Sequence, residues 1–299
     1  MRFLVMIVLT ILISQICAAD AASNGGAKMD TVRDRLWIWC HQEGSNNGQY
    51  GLPGESRMTP AEAAFYMGVP NLLMVVYQGQ PEPPFDKLAI SFRPLKRVVW
   101  SIVGDSSSKR NDKATDLAEV VSLAGKFPNI SGAIMDDFFH PKDASGSISR
   151  YSAEDIASFR NRLHSAAHKV DLWVVLYSHD LDLPAQKHLA NCDVVTFWTW
   201  NAKDLRELPA NFERMERVAG DRRKVLGCYM WDFGTGKPMP LELMKLQCEN
   251  GLKWLKEGRI DGMIFLSSVI CDLDLEAVEW TRKWIAEVGD QQLAQKPGP

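Results

Sequence analysis

The sequence lacks several features that would place it in other classes of protein. Its formal net charge is -3, so it has no basic surplus of the kind that nucleic-acid-binding proteins use to neutralise phosphates. Its six cysteines include no Cys-x-x-Cys pair, so we expect no zinc knuckle. No run approaches the roughly 18 apolar residues that a membrane-spanning helix needs. These absences leave a globular protein that binds neither nucleic acid nor a structural metal.

The first residues are typical of an export signal. A Met-Arg start is followed by an apolar stretch over residues 3–13 and by the small residues Ala18 and Ala19, which suit cleavage by a signal peptidase. The apolar stretch is too short to span a bilayer as an ordinary helix. We therefore predict a signal peptide over residues 1–19, a secreted or periplasmic protein, and no stable membrane insertion after cleavage.

Eight short apolar runs recur along the rest of the chain. Near-continuous hydrophobicity, rather than alternation, is typical of parallel strands that are covered on both faces. The runs are Leu36–Cys40, Asn71–Tyr77, Arg97–Val103, Ser131–Met135, Leu172–Tyr177, Val194–Thr199, Val225–Trp231 and Gly262–Leu266.

The stretches between these runs have helical signals. Thr59-Pro60-Ala61-Glu62 is a capping box with proline at the first helical position. Eight strand–helix units predict an α/β protein with a single (β/α)8 TIM barrel over residues 30–289, followed by a disordered tail over residues 290–299. The rival, a doubly wound open sheet, would usually carry a Gly-rich phosphate turn after its first strand, and residues 41–45 carry none.

A barrel places its active site at the C-terminal ends of its strands. Here those ends carry aromatic, amide and carboxylate side chains, and the chain has ten tryptophans. Aromatic rings stack on the apolar face of a pyranose while polar groups bond its hydroxyls, so we predict a carbohydrate partner. The candidate substrate-binding residues are His41, Glu43, Tyr77, Tyr177, His179, Trp198, Trp200, Asn201, Tyr229, Trp231 and Asp232.

The candidate catalytic residues are Asp136 and Asp137, which follow the fourth predicted strand without a gap. Two adjacent carboxylates do not ionise together cheaply, so one pKa of the pair should lie above that of a free Asp. A carboxyl with a raised pKa can act as a general acid at neutral pH while its neighbour stays charged.

The order and strand positions of three motifs resemble glycoside hydrolase family 84, barrel enzymes that release N-acetylglucosamine. The motifs are the Asp136-Asp137 pair, Phe197-Trp198-Thr199 and Trp231-Asp232, although Trp200 stands where the family has Gly and Phe233 where it has Asn. The resemblance implies that the 2-acetamido group of the substrate attacks the anomeric carbon. It also implies that Asp136 polarises that group, that Asp137 is general acid and then base, and that Asp232 holds sugar hydroxyls.

Three alternatives stay open from the residues alone. A glycosidase with two separate carboxylates could pair Asp136 or Asp137 with Asp232, Glu43 or Asp180. A carbohydrate-binding barrel without chemistry would keep only the polar and aromatic lining. A catalytic metal held by histidines near the mouth is disfavoured because the chain has no His-x-His or His-Glu-x-x-His spacing, so we expect no cofactor.

Overall fold

The computed structural model describes residues 30–294, so the predicted signal peptide and the last five residues lie outside the described part. Eight parallel strands close into a barrel in the order β1-β8-β7-β6-β5-β4-β3-β2. The strands are β1 (Leu36–Cys40), β2 (Asn71–Met74), β3 (Arg97–Val103), β4 (Ile130–Met135), β5 (Asp171–Tyr177), β6 (Val194–Trp198), β7 (Arg223–Tyr229) and β8 (Gly262–Leu266).

Within the described residues, one α-helix follows each strand, which confirms the predicted (β/α)8 architecture. The helices are α1 (Pro60–Met67), α2 (Asp86–Ile90), α3 (Thr115–Lys126), α4 (Ala153–His164), α5 (Gln186–Leu189), α6 (Leu208–Ala219), α7 (Leu241–Lys256) and α8 (Glu276–Val288). The capping box at Thr59 and Glu62 is formed as the sequence predicts. No helix in this range is long and apolar enough to cross a membrane.

Tryptophans fill the barrel interior in two layers. Trp37 packs edge-on against Trp173, with ring centroids 5.1 Å apart, and Trp39 packs against Trp198 at 5.2 Å. The Trp198 ring needs a neighbour without a side chain, because a Cβ on Gly227 would lie 2.0 Å from it. The layer of Trp39 and Trp198 therefore lies nearer the C-terminal strand ends than the layer of Trp37 and Trp173.

Two strands end at least two residues earlier than the apolar runs predict. β2 stops at Met74 because the Val76 N–H donates to the Ser101 hydroxyl at 2.8 Å, and Tyr77 then enters a turn with Gln80. β7 stops at Tyr229, and a two-residue pairing of 231–232 with 237–238 forms a separate hairpin. Apolar residues continue past both ends because the loops are also packed against the barrel.

The chain end packs differently from the predicted tail. We expected disorder from residue 290, whereas Gln292 pairs with Thr31 and Leu293 is buried. The Leu293 N–H donates to the Asp30 carbonyl at 2.9 Å. This apolar side chain belongs to the hydrophobic core, so the packed domain extends at least four residues beyond the predicted boundary at 289.

Candidate active site

The C-terminal strand ends converge on one inner pocket of about 80 Å³. Each strand of the barrel, or the loop directly after it, contributes to its lining, as the fold requires. The lining residues are Trp39, His41, Asn46, Tyr50, Tyr77, Asp105, Asp136, Asp137, Tyr177, Trp200, Tyr229, Phe233 and Leu266.

Asp136 is the buried member of the carboxyl pair. Its backbone N–H donates to the Val103 carbonyl at 2.9 Å, which extends the β3–β4 pairing by one residue. Its Oδ1 accepts from the Asp137 N–H at 2.9 Å. Burial raises the pKa of Asp136 well above its usual range, and the neighbouring charge of Asp137 raises it further.

Asp137 is the exposed member, and its backbone lies in the left-handed region with φ of 40°. Adjacent residues of a continuing strand would point to opposite faces, so this break allows both carboxyls to line the same pocket. Oδ1 accepts from the Tyr177 hydroxyl at 3.0 Å, and Oδ2 accepts from the Ser106 N–H at 3.2 Å. These donors hold Asp137 at the boundary between the pocket and solvent.

His41 is held as a neutral imidazole. The Trp39 indole N–H donates to Nε2 at 3.3 Å, so the ring proton is on Nδ1, which donates to the Val75 carbonyl at 3.3 Å. Burial lowers the pKa of His41 to about 4. His41 therefore contributes an aromatic face, 5.0 Å from the Tyr77 ring, rather than a positive charge.

Tyr50 reaches the pocket from the loop after β1. Its hydroxyl lies 2.8 Å from the Tyr77 hydroxyl, and its carbonyl accepts from the Trp231 indole N–H at 3.0 Å. The next residue, Gly51, has a positive φ, and a Cβ there would lie 2.4 Å from the Gly236 carbonyl oxygen. This close approach locks the β1 loop to the hairpin after β7 and forms one wall of the pocket.

A wider cleft of about 820 Å³ opens above Asp137 and is bounded by the loop after β4. It shares Tyr50, Asp137, Tyr177 and Trp200 with the inner pocket. His179 lines this cleft and stacks on Tyr177 with 5.1 Å between ring centroids. The exposed Asp137 carboxylate thus lies where the small inner pocket meets the wider, open cleft.

The structure brings together eight of the predicted binding and catalytic residues. Seven line the inner pocket, namely His41, Tyr77, Asp136, Asp137, Tyr177, Trp200 and Tyr229, and His179 lines the outer cleft.

Five predicted binding residues lie outside the lining of both cavities, and these are Glu43, Trp198, Asn201, Trp231 and Asp232. Trp198 is 1% exposed, and its indole N–H donates to the Thr196 hydroxyl at 2.8 Å inside the barrel. Asp232 accepts from the Ala202 N–H at 3.3 Å and the Thr235 hydroxyl at 2.6 Å. Asn201 donates to Asp204, so Asn201 and Asp232 fasten loops. Glu43 is exposed on the first loop.

Sequence reasoning did not select Tyr50, Asn46, Phe233 or Leu266, nor Trp39, which lies inside the first predicted strand. Trp39 is 2% exposed, yet one edge of it forms the pocket floor. Tyr50 lies ten residues after β1, so no strand-end rule selects it. The Tyr50-Gly51 step was the available signal, since glycine often permits close backbone approach.

The group of side chains best suited to a metal among residues 30–294 lies at the opposite end of the barrel. It consists of His164, Asp171 and Asp193. Arg160 contacts Asp193 at 2.6 Å and Arg223 contacts Asp171 at 2.6 Å. Because arginines already balance both carboxylates, this cluster is a set of ion pairs remote from the mouth.

The buried Asp136 carboxyl makes stability depend on pH. Its pKa is higher in the folded chain than the unfolded value of 3.8, so the folded state binds the proton more tightly and the free energy of unfolding falls as pH rises above about 4. Asp136→Asn removes this decrease in the free energy of unfolding at higher pH. We expect the melting temperature of the variant to exceed that of the wild type at pH 8, by ~2–4 °C for each kcal/mol by which the free energy of unfolding increases. Calorimetry at pH 8 and pH 3.5 checks this, and a difference that stays the same at both values would contradict it.

No family model matches the chain, and no curated protein matches it either. Solved structures do match. The catalytic domain of a hyperthermophilic chitinase from Pyrococcus furiosus is 12% identical, with 90% of this chain and 100% of that chain covered and a TM-score of 0.53. A xylanase-alpha-amylase inhibitor protein in complex with trehalose is 14% identical over 88% and 100%, with a TM-score of 0.53. A chitinase-like lectin from tamarind is 7% identical over 85% and 99%, with a TM-score of 0.50. At these identities, what the chain shares with them is the barrel fold.

Proposed function

We propose that this chain is an exported glycoside hydrolase that uses the Asp136–Asp137 pair to cleave the bond to a 2-acetamido sugar. The observation that carries the proposal is the unequal environment of the two acids. Asp136 is buried and its pKa is raised, whereas Asp137 is exposed and bound by two donors. Two neighbouring carboxyls in unlike environments can divide the two acid roles that cleavage of a glycoside requires.

The size of the inner pocket supports the substrate-assisted route. The inner pocket is about 80 Å³, against about 820 Å³ for the outer cleft, so the small acetamido group is the part of the substrate that suits it. Trp39, Phe233 and Leu266 offer apolar contact to the methyl group, and Asp136 lies beside it. The sugar ring then occupies the junction with the outer cleft, next to Asp137.

In this mechanism the pair carries one proton, which rests on Asp136 in the free protein. The acetamido carbonyl oxygen attacks the anomeric carbon, and positive charge develops on the acetamido group beside Asp136. That charge favours an ionised Asp136, so the proton is available to Asp137, which protonates the leaving oxygen. Asp137 then accepts a proton from the water that opens the cyclic intermediate and restores the free pair.

The fold also occurs in proteins named as an inhibitor and as a lectin, so carbohydrate binding without cleavage is the second candidate. The two candidates differ in what they require of Asp136, because a binding protein has no use for a carboxyl with a raised pKa.

A substrate panel tests the proposed function. We expect turnover of nitrophenyl glycosides that carry a 2-acetamido group and much slower turnover of those with a 2-hydroxyl. Replacing the acetyl group by trifluoroacetyl weakens the carbonyl nucleophile, so kcat should fall if the substrate assists. Equal rates on acetyl and trifluoroacetyl substrates would instead support a two-carboxylate route. Binding of oligosaccharides without turnover of any member would support the carbohydrate-binding alternative.

A further inference from the structure

A third carboxyl, Asp105, lies in the same pocket and has no role in the mechanism above. It follows β3, is buried, and lines the inner pocket with Asp136 and Asp137. Its Oδ1 accepts from the Gln78 N–H at 2.8 Å. Its Oδ2 accepts from the Ser107 N–H at 3.3 Å and the Ser107 hydroxyl at 2.5 Å. A carboxylate that accepts three hydrogen bonds from the protein is suited to fixing the position of its neighbours. It is less suited to act as a free nucleophile.

These bonds determine where Ser106 lies. Asp105 binds Ser107 on the far side of Ser106, and the Asn111 side chain donates to the Asp105 carbonyl at 2.7 Å and accepts from the Gly104 N–H at 2.8 Å. The segment is thus fixed on both sides of Ser106, whose N–H donates to Asp137 Oδ2. Loss of the Asp105 contacts would release one of the two donors that hold Asp137.

The charges that face Asp136 are all negative. The ionisable side chains of the inner pocket, within the described residues, are Asp105, Asp136, Asp137, His41 and the phenols of Tyr50, Tyr77, Tyr177 and Tyr229. The low pKa of His41 leaves it uncharged at neutral pH, and burial raises the pKa of Tyr77, Tyr177 and Tyr229. Asp137 and, more weakly, Asp105 therefore oppose ionisation of Asp136.

We propose that Asp105 is a positioning residue of this site, which fixes Ser106 against Asp137 and whose negative charge keeps the proton of the pair on Asp136. The inference rests on the proposed function for its meaning in catalysis. The positioning part of the proposal concerns Asp137 and the electrostatic part concerns Asp136, so different substitutions at Asp105 test them separately. A neutral residue of the same shape removes the charge, whereas Glu keeps the charge and displaces the hydrogen bonds.

The test uses carboxyl NMR titration of the full protein without substrate, together with the pH dependence of kcat/KM on any substrate that is turned over. In Asp105→Asn we expect the titration midpoint of Asp136 to fall and the basic limb of the rate profile to move to lower pH. In Asp105→Glu the Asp136 midpoint should stay high, while kcat falls about 10²-fold because Asp137 is displaced. Ser107→Ala is the matched control, since it removes one hydrogen bond and keeps every charge, so its Asp136 midpoint should equal that of the wild type.

An unchanged Asp136 midpoint in Asp105→Asn would overturn the electrostatic part, and wild-type kcat in Asp105→Glu would overturn the positioning part. If Asp105→Asn does not fold, Asp105→Ser provides a second neutral variant with the same expected midpoint. The NMR titration needs no substrate. If the protein cleaves no glycoside but shows the expected midpoints, the proposed function is wrong and the electrostatic role of Asp105 is supported.

Discussion

Asp137→Asn should lower turnover of natural glycosidic linkages by about 10²–10⁴, the usual worth of general acid–base catalysis. An alkoxide leaves slowly without a proton, and Asn has none to give. On nitrophenyl glycosides the loss should be smaller, because that leaving group departs without protonation. Steady-state kcat/KM on both substrate types measures the difference.

The backbone conformation at position 137 can be adopted by Asn, so Asp137→Asn should differ from the wild type in the side chain alone. Asp137 has a φ of 40°, and Asn is one of the few residues that tolerate this region. Asp232→Asn is the control, because Asp232 accepts bonds from Ala202 and Thr235 away from the pocket; it should keep turnover on both substrates. A large loss in Asp232→Asn with normal rates in Asp137→Asn would favour a two-carboxylate site built on Asp232.

Asp136→Asn should lower turnover of nitrophenyl glycosides as well as natural linkages, by about 10²–10³ or more, as for other groups that stabilise developing charge. The reason is that positive charge on the acetamido group forms whatever the leaving group is. Asn also accepts the Asp137 N–H, so the local backbone should stay in place. The same kinetic panel tests this, with the trifluoroacetyl substrate added.

A loss confined to natural linkages would contradict this assignment, since Asp136 would then act only as the source of the proton and not on the charge of the acetamido group. The variant should at the same time be more stable than the wild type at pH 8, because it lacks the buried acid whose pKa is raised. Lower activity with higher stability would identify a group kept for function at a cost in folding.

Much of the site could be anticipated because strand ends and barrel geometry are linked. Once eight apolar runs are assigned to parallel strands, the residues that follow them meet at one end. This rule selected His41, Tyr77, Asp136, Asp137, Tyr177, Trp200 and Tyr229, all of which line the pocket. It also selected Trp198, which is two residues before Trp200 and therefore lies deeper in the barrel, packed against Trp39.

The sequence by itself determined the eight-stranded α/β pattern and the adjacency of Asp136 and Asp137, because hydrophobic runs and chain neighbours are local properties. Only the tertiary structure decided which acid of the pair is buried, since that depends on the break at Asp137 and on the side chains around it. It also placed Tyr50 in the pocket, through a contact between Gly51 and Gly236 that are 185 positions apart in the chain. Such contacts between loops follow from packing in three dimensions, and no local pattern in the sequence records them.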